Sequence, residues 1–199
     1  MSNHLIIFIK NPEVGKVKTR IATTVGQERA LDIYHQLLHI TRSNILPLSC
    51  QKHLCYSDYV DENDDWLKTS FIKHCQTGID LGQRMQNAFA ELFSNRYDDI
   101  KKAIIVGSDC PTIDSILIEK AFCQLDQNDL VIGPTYDGGY YLLGMRDLKP
   151  EIFENISWST DTVLTSTLNI INSFPWTYSL LPTLNDIDTF SDWEAYKAQ

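Results

Sequence analysis

Four cationic side chains crowd one short stretch near the start of the chain. Lys10, Lys16, Lys18 and Arg20 stand in "KNPEVGKVKTR" with Glu13 as the one opposing charge, in a protein of 199 residues and formal net charge -9. Ammonium and guanidinium groups give charge-assisted hydrogen bonds to phosphate oxygens, and Gly15 lets the backbone approach such a group closely. The stretch has no G-x-G-x-x-G, and Gly15-Lys16 is followed by Val17 rather than Ser or Thr. It is therefore neither a dinucleotide fingerprint nor a P-loop. Any one of these lysines reads as a solvated surface charge, but the cluster, directly after an apolar run, points to a bound phosphate.

Carboxylates form the second group. Asp109 follows the apolar run "KAIIVG" in "GSDCPT", where its oxygens could reach a divalent cation; Mg²⁺ or Mn²⁺ takes hard oxygen ligands, commonly one or two carboxylates plus phosphates. Asp114 is better placed as the cap of the following helix, which leaves Asp109 free. In "GPTYDGGYY", a plain Asp-Gly turn accounts for Asp137, Gly138 and Gly139, and strand packing for Tyr140. The same loop at a cleft would offer Asp137 as a general base toward an attacking alcohol. Asp80 and Arg84 open another helix, Asp80 as its cap and Arg84 either on a phosphate or in a surface ion pair. Trp158 reads first as a core residue. Asp186 and Asp188 precede the last helix, where Asp188 is a cap or a partner of Asp109.

Elements that position these groups follow from period and punctuation. Strands are expected at 4–9, 52–57, 70–76, 102–107, 129–135, 140–145 (the last reversed by the "DGG" turn) and 176–182. Helices are expected at 26–46, 80–97, 115–125, 160–174 and 189–198, with the cationic stretch through Arg20 as a loop. Strand–helix alternation implies an α/β fold: a mixed, mostly parallel sheet with helices on both faces. No linker divides residues 1–199, so one domain is expected. In such sheets ligands bind beyond the carboxyl ends of the strands, where the 10–20, 108–111 and 135–139 loops all fall.

Bulk properties narrow the classes further. An isoelectric point near 4.9 argues against a nucleic-acid polymer as partner, while allowing a small anion in a locally positive pocket. The N-terminal apolar run is too short to span a membrane. Five cysteines without C-x-x-C spacing speak against a disulfide framework or structural zinc, and so for a cytoplasmic setting.

Taken in order, "KNPEVGKVKTR", "QTGIDLGQRM", "VGSDCPTI", "GPTYDGGYYLLGM", "WSTDTVL" and "LNDIDTFSDW" resemble bacterial GT-A-like nucleotide-diphospho-sugar transferases, in a branch generally named as glycosyltransferases. Molybdenum-cofactor guanylyltransferases and 2-phospho-L-lactate guanylyltransferases are more distant relatives. The resemblance runs from Ile6 to about Trp193 and implies the Rossmann-like GT-A fold. It implies nucleotide binding by Lys10, Gly15, Lys18 and Arg20, to which Asp80 and Arg84 are joined. Asp109 and Asp188 would hold Mg²⁺ or Mn²⁺, with Asp109 and Asp137 as the catalytic pair. Gly138, Gly139, Tyr140 and Trp158 would face the acceptor, a small molecule. The metal strand ends in "SDCP" where glycosyltransferases carry Asp-x-Asp. Glycosyl transfer from a nucleotide sugar therefore stands beside nucleotidyl transfer from a nucleoside triphosphate.

Overall fold

The computed structural model describes residues 2–94 and 100–198. Its seven-stranded sheet has the order β3-β2-β1-β4-β6-β5-β7. The strands are β1 (Ser2–Ile9), β2 (Gln51–Tyr56), β3 (Ile72–Cys75), β4 (Ile100–Gly107), β5 (Leu130–Pro134), β6 (Tyr140–Met145) and β7 (Tyr178–Leu180). All run parallel except β6, which is antiparallel to both β4 and β5. The "DGG" turn reverses the chain as its residues require, because Gly138 takes φ 89°, a left-handed conformation that side chains resist.

Alternation along the strands splits the core into two layers. Leu5, Ile7, Ile9, Ile104 and Val106 face one side with helices α1 (Thr19–Val25), α2 (Gln27–Ile45), α4 (Ser115–Gln124) and α6 (Phe190–Lys197). Ile6, Phe8, Ala103 and Ile105 face the other with α3 (Leu81–Phe93), α5 (Val163–Asn172) and a 3-10 turn at Pro150–Phe153. Central β1 and β4 are covered on both faces, so their sequences read as unbroken apolar runs. Each fully buried aliphatic side chain there contributes about 1.5–3 kcal/mol.

Expected and observed elements differ chiefly at the cationic stretch and along α3, while β3, α5 and β7 are each shorter than expected. Arg20 is not in a loop: α1 begins at Thr19, and its one buried residue, Ile21, anchors a short helix of mostly polar and β-branched residues. Packing, not propensity, forms it. The helix expected over 80–97 ends at Phe93, with Ser94 already extended, and positions 95–97 lie outside the described residues. Caps at Asp80 and Asp114 accept from the Gln83 and Leu117 N–H groups, both at 2.8 Å. Asp188, by contrast, is not the cap of α6. Thr189 and Asp192 form a reciprocal capping box there, which releases the Asp188 carboxylate. Among the described residues no helix is long and apolar enough to cross a membrane.

Candidate active site

The chain leaves β1 toward β2 and β3 on one side, and returns through β4 on the other. The crevice between β1 and β4 is thus the point where strand order reverses, and a cleft of about 870 Å³ opens at its carboxyl edge. Three staples shape it. The Asn11 side chain, 2% exposed, accepts from the Asp58 N–H (3.0 Å) and donates to the Tyr59 carbonyl (2.9 Å), which ties the loop after β1 to the loop after β2. From α2, the buried Tyr34 hydroxyl accepts from the Lys10 N–H at 2.8 Å and donates to the Lys10 carbonyl at 3.1 Å. It also lies 3.4 Å from Ser108 Oγ at the end of β4. Burial pushes the Tyr34 phenol well above its ordinary range, so it stays a neutral strut.

Lys18 is the third staple. Its side chain is 6% exposed, and its ammonium meets Asp109 Oδ1 at 2.7 Å and donates to the Ile187 carbonyl at 2.6 Å. The Ile187 N–H in turn donates to the Asp109 carbonyl at 2.8 Å. Lys18 itself takes φ 47°, a left-handed conformation uncommon for a lysine. A buried ammonium needs such partners, because an unpaired one would cost several kcal/mol.

The other candidates fall into distinct places. Lys10, Arg20 and Arg84 line the cleft together with Asp80, Asp109, Asp137, Gly139, Tyr140, Trp158 and Asp188. Lys16 instead pairs with Glu13 at 2.8 Å, 63% exposed. Gly15, at φ 78°, shapes the turn before α1 and packs toward Gln27. Gly138 packs its backbone on Asp161, and its carbonyl accepts from the Leu164 N–H. The Asp80 carboxylate is engaged as the α3 cap. Arg84 donates to the Gly78 carbonyl and to Gln76 Oε1. Trp158 lies on the first turn of α3, where only glycine fits at position 82: a Cβ there would stand 2.1 Å from the indole nitrogen. Tyr140 offers its ring rather than its hydroxyl, which is buried against the Thr167 hydroxyl.

The resemblance places a metal on Asp109 and Asp188; among the described residues the carboxylates that draw together are Asp137, Asp186 and Asp188, with ligand oxygens within 4.8 Å of one another. Asp109 is engaged by Lys18, and Asp188 also meets Arg20 at 2.9 Å. Asp186 joins the group because segment 184–188 runs beside the end of β5, held by the Thr135–Leu184 bridge. One Asp137 oxygen accepts from the Thr135 hydroxyl and the Gly139 N–H. Burial, reinforced by the charges of Asp137 and Asp188, pushes the Asp186 carboxyl up to about 6. An all-oxygen donor set with mutual repulsion fits a hard divalent cation and does not fit zinc.

Comparison with known proteins follows from this geometry. A family model described as "Uncharacterized protein conserved in bacteria (DUF2064)" matches residues 46–160. No curated protein matches the chain. A protein of Desulfovibrio desulfuricans G20, named by inference as a nucleotide-diphospho-sugar transferase, is 32% identical over 95% of this chain and 84% of its own, with a TM-score of 0.86. At the level of fold alone, 4-diphosphocytidyl-2C-methyl-D-erythritol synthase of Anaerococcus prevotii DSM 20548 is similar: 12% identity, TM-score 0.60, 100% of this chain and 96% of that one. So is Rv0371c of Mycobacterium tuberculosis H37Rv, in a manganese complex: 10% identity, TM-score 0.51, 100% and 98% coverage. The fold is the Rossmann-like one of nucleotide-diphospho-sugar transferases and nucleotidyltransferases. With a family model over more than half its length and a relative 32% identical along nearly all of it, the chain belongs to the DUF2064 family.

Proposed function

We propose that the protein is a metal-dependent glycosyltransferase that uses a nucleotide-diphospho-sugar. The observation that carries this reading is one cleft, at the strand-order reversal, in which Lys10, Arg20 and Arg84 face Asp137, Asp186 and Asp188. In this reading the cations bind the diphosphate, and Trp158, Tyr140 and the 138–139 turn border the acceptor. Asp186 and Asp188 would hold Mg²⁺ or Mn²⁺, as one or two carboxylates suffice for such an ion. Bound there, the ion would supply neutralisation of the charge on the departing diphosphate. Asp137 is then left to take a proton from an attacking hydroxyl, with its orientation set by Thr135 and the Gly139 N–H. Lys18 holds Asp109 and the 187 backbone in register and so positions both carboxylate loops.

A second reading, nucleotidyl transfer to a small phosphorylated acceptor with release of pyrophosphate, draws on "SDCP" after β4 in place of Asp-x-Asp. It also draws on the fold shared with the diphosphocytidyl-methylerythritol synthase. The two readings part on product: nucleoside diphosphate against pyrophosphate.

Calorimetric titration of nucleoside di- and triphosphates, with and without Mn²⁺, tests the shared core. Affinity should rise with the ion, Asp188→Asn should remove most of that rise, and Arg20→Ala should weaken binding by about 1.5–3 kcal/mol for the lost charge-assisted contact. Affinity indifferent to the ion in the native protein would defeat the metal-dependent reading.

A further inference from the structure

Charge is partitioned along the cleft. Among its described lining residues the cations are Lys10, Arg20 and Arg84. Lys10 and Arg84 follow β1 and β3, on one side of the reversal, and Arg20 is drawn to the boundary by Asp188. The far end, over β6, β5 and the start of α5, is lined by Asp137, Asp161 and Asp186 with Ser159 and Thr160, and Trp158 stands between it and the first turn of α3.

Among the described residues no cationic side chain lines that end, and the helix terminus there is largely closed. A helix N-terminus is a ready anion site only while its N–H groups are open. At α5 they are taken: the Thr162 N–H by Thr160 Oγ1 at 3.4 Å, Val163 by the Thr160 carbonyl at 3.5 Å, and Leu164 by the Gly138 carbonyl at 2.8 Å. Asp161, exposed at the lip, makes no hydrogen bond or ion pair among the described residues. Its backbone, packed on Gly138, keeps it there. A divalent ion on Asp186 and Asp188 would lie beside Asp137 but leave Asp161, outside that group, without a counter-charge.

We propose that this end of the cleft is a charge filter: it admits a neutral, hydroxyl-bearing group, rejects phosphorylated and carboxylated ones, and Asp161 sets the discrimination. Free carboxylate oxygens and the Ser159 hydroxyl accept from sugar-type hydroxyls, while the Trp158 ring offers an apolar face. A second negative charge brought against Asp137 and Asp161 in a partly enclosed cleft meets like-charge repulsion with no cation at that end, among the described residues, to offset it. The inference rests on the proposal that the cleft binds a nucleotide diphosphate, and it goes further by excluding uronates and sugar phosphates from the far end.

The test is calorimetric titration of the full chain with uridine and guanosine diphosphates, their neutral hexose conjugates, and the uronates that differ only by a C6 carboxylate. The neutral conjugate should bind at least as well as the bare diphosphate, and the uronate about tenfold more weakly. Asp161→Asn should shrink that gap to about threefold, whereas Asp32→Asn, the same charge change on an exposed α2 position paired with Arg29, should leave it intact. If no nucleoside diphosphate binds, the nucleotide reading falls and takes the filter with it. If the diphosphate binds and the uronate matches the hexose conjugate, the filter alone is overturned. A gap that Asp161→Asn leaves unchanged, or that Asp32→Asn narrows equally, removes Asp161 from the role.

Discussion

Asp186 shows how much a single carboxyl depends on its neighbours. Half-buried and within 4.8 Å of two other carboxylates, it holds its proton to about pH 6, against an ordinary value of 3.8. In metal-free protein the folded state therefore binds that proton more tightly than the unfolded chain does. The stabilisation is fully present below about pH 4 and is lost as pH rises through 6. Asp186→Asn should be more stable than the native protein at pH 7.5, by on the order of 1 kcal/mol after solvent screening, and equal to it near pH 4. Urea denaturation in chelator across this range reads the difference directly. A variant less stable at pH 7.5 would mean that Asp186 is held by attractive partners rather than crowded by repulsive ones.

The turn between β5 and β6 is the element on which the site's geometry depends most. Gly138 combines φ 89° with contact so close that a Cβ would lie 2.0 Å from the Asp161 carbonyl oxygen. Gly138→Ala should cost about 2–4 kcal/mol, since strain and a backbone clash add. Gly139→Ala meets only side-chain atoms, Thr135 Oγ1 at 3.1 Å and Asp137 Oδ1 at 3.4 Å, and should cost far less. Denaturation midpoints of the two variants compare them, and equal losses would count against the Gly138–Asp161 contact as the cause. This turn was legible from "DGG", as were the buried strands, the reversed β6 and the caps at Asp80 and Asp114, because period and turn chemistry are local. α1 was not, since its seven residues are helical only by virtue of burying Ile21. Nor was the grouping of Asp186 with Asp137. It arises from the Thr135–Leu184 bridge, between positions 49 residues apart, and no local pattern records it. Lys18 was legible as a cation but not as a buried one, and the staples at Asn11 and Tyr34 give no local signal at all.

At the scale of the whole molecule, the formal net charge of -9 and the three cations of the cleft act over different distances. A nucleotide approaching from solution first meets the summed negative field. That field reaches about 30 Å at 10 mM salt and about 10 Å at 100 mM. Only at contact do Lys10, Arg20 and Arg84 attract its phosphates. Association should therefore quicken as salt is added, several-fold between 10 and 200 mM, because screening removes a repulsion. Dissociation should quicken too, as screening weakens the close charge pairs that hold the ligand. A protein that steers its anion with a positive surface shows the opposite trend in association rate. Stopped-flow tryptophan fluorescence, with Trp158 on the cleft wall as reporter, separates the two rates. An association rate that falls with salt would mean the cationic end projects its field beyond the acidic surface. The local cluster would then act in capture as well as in holding.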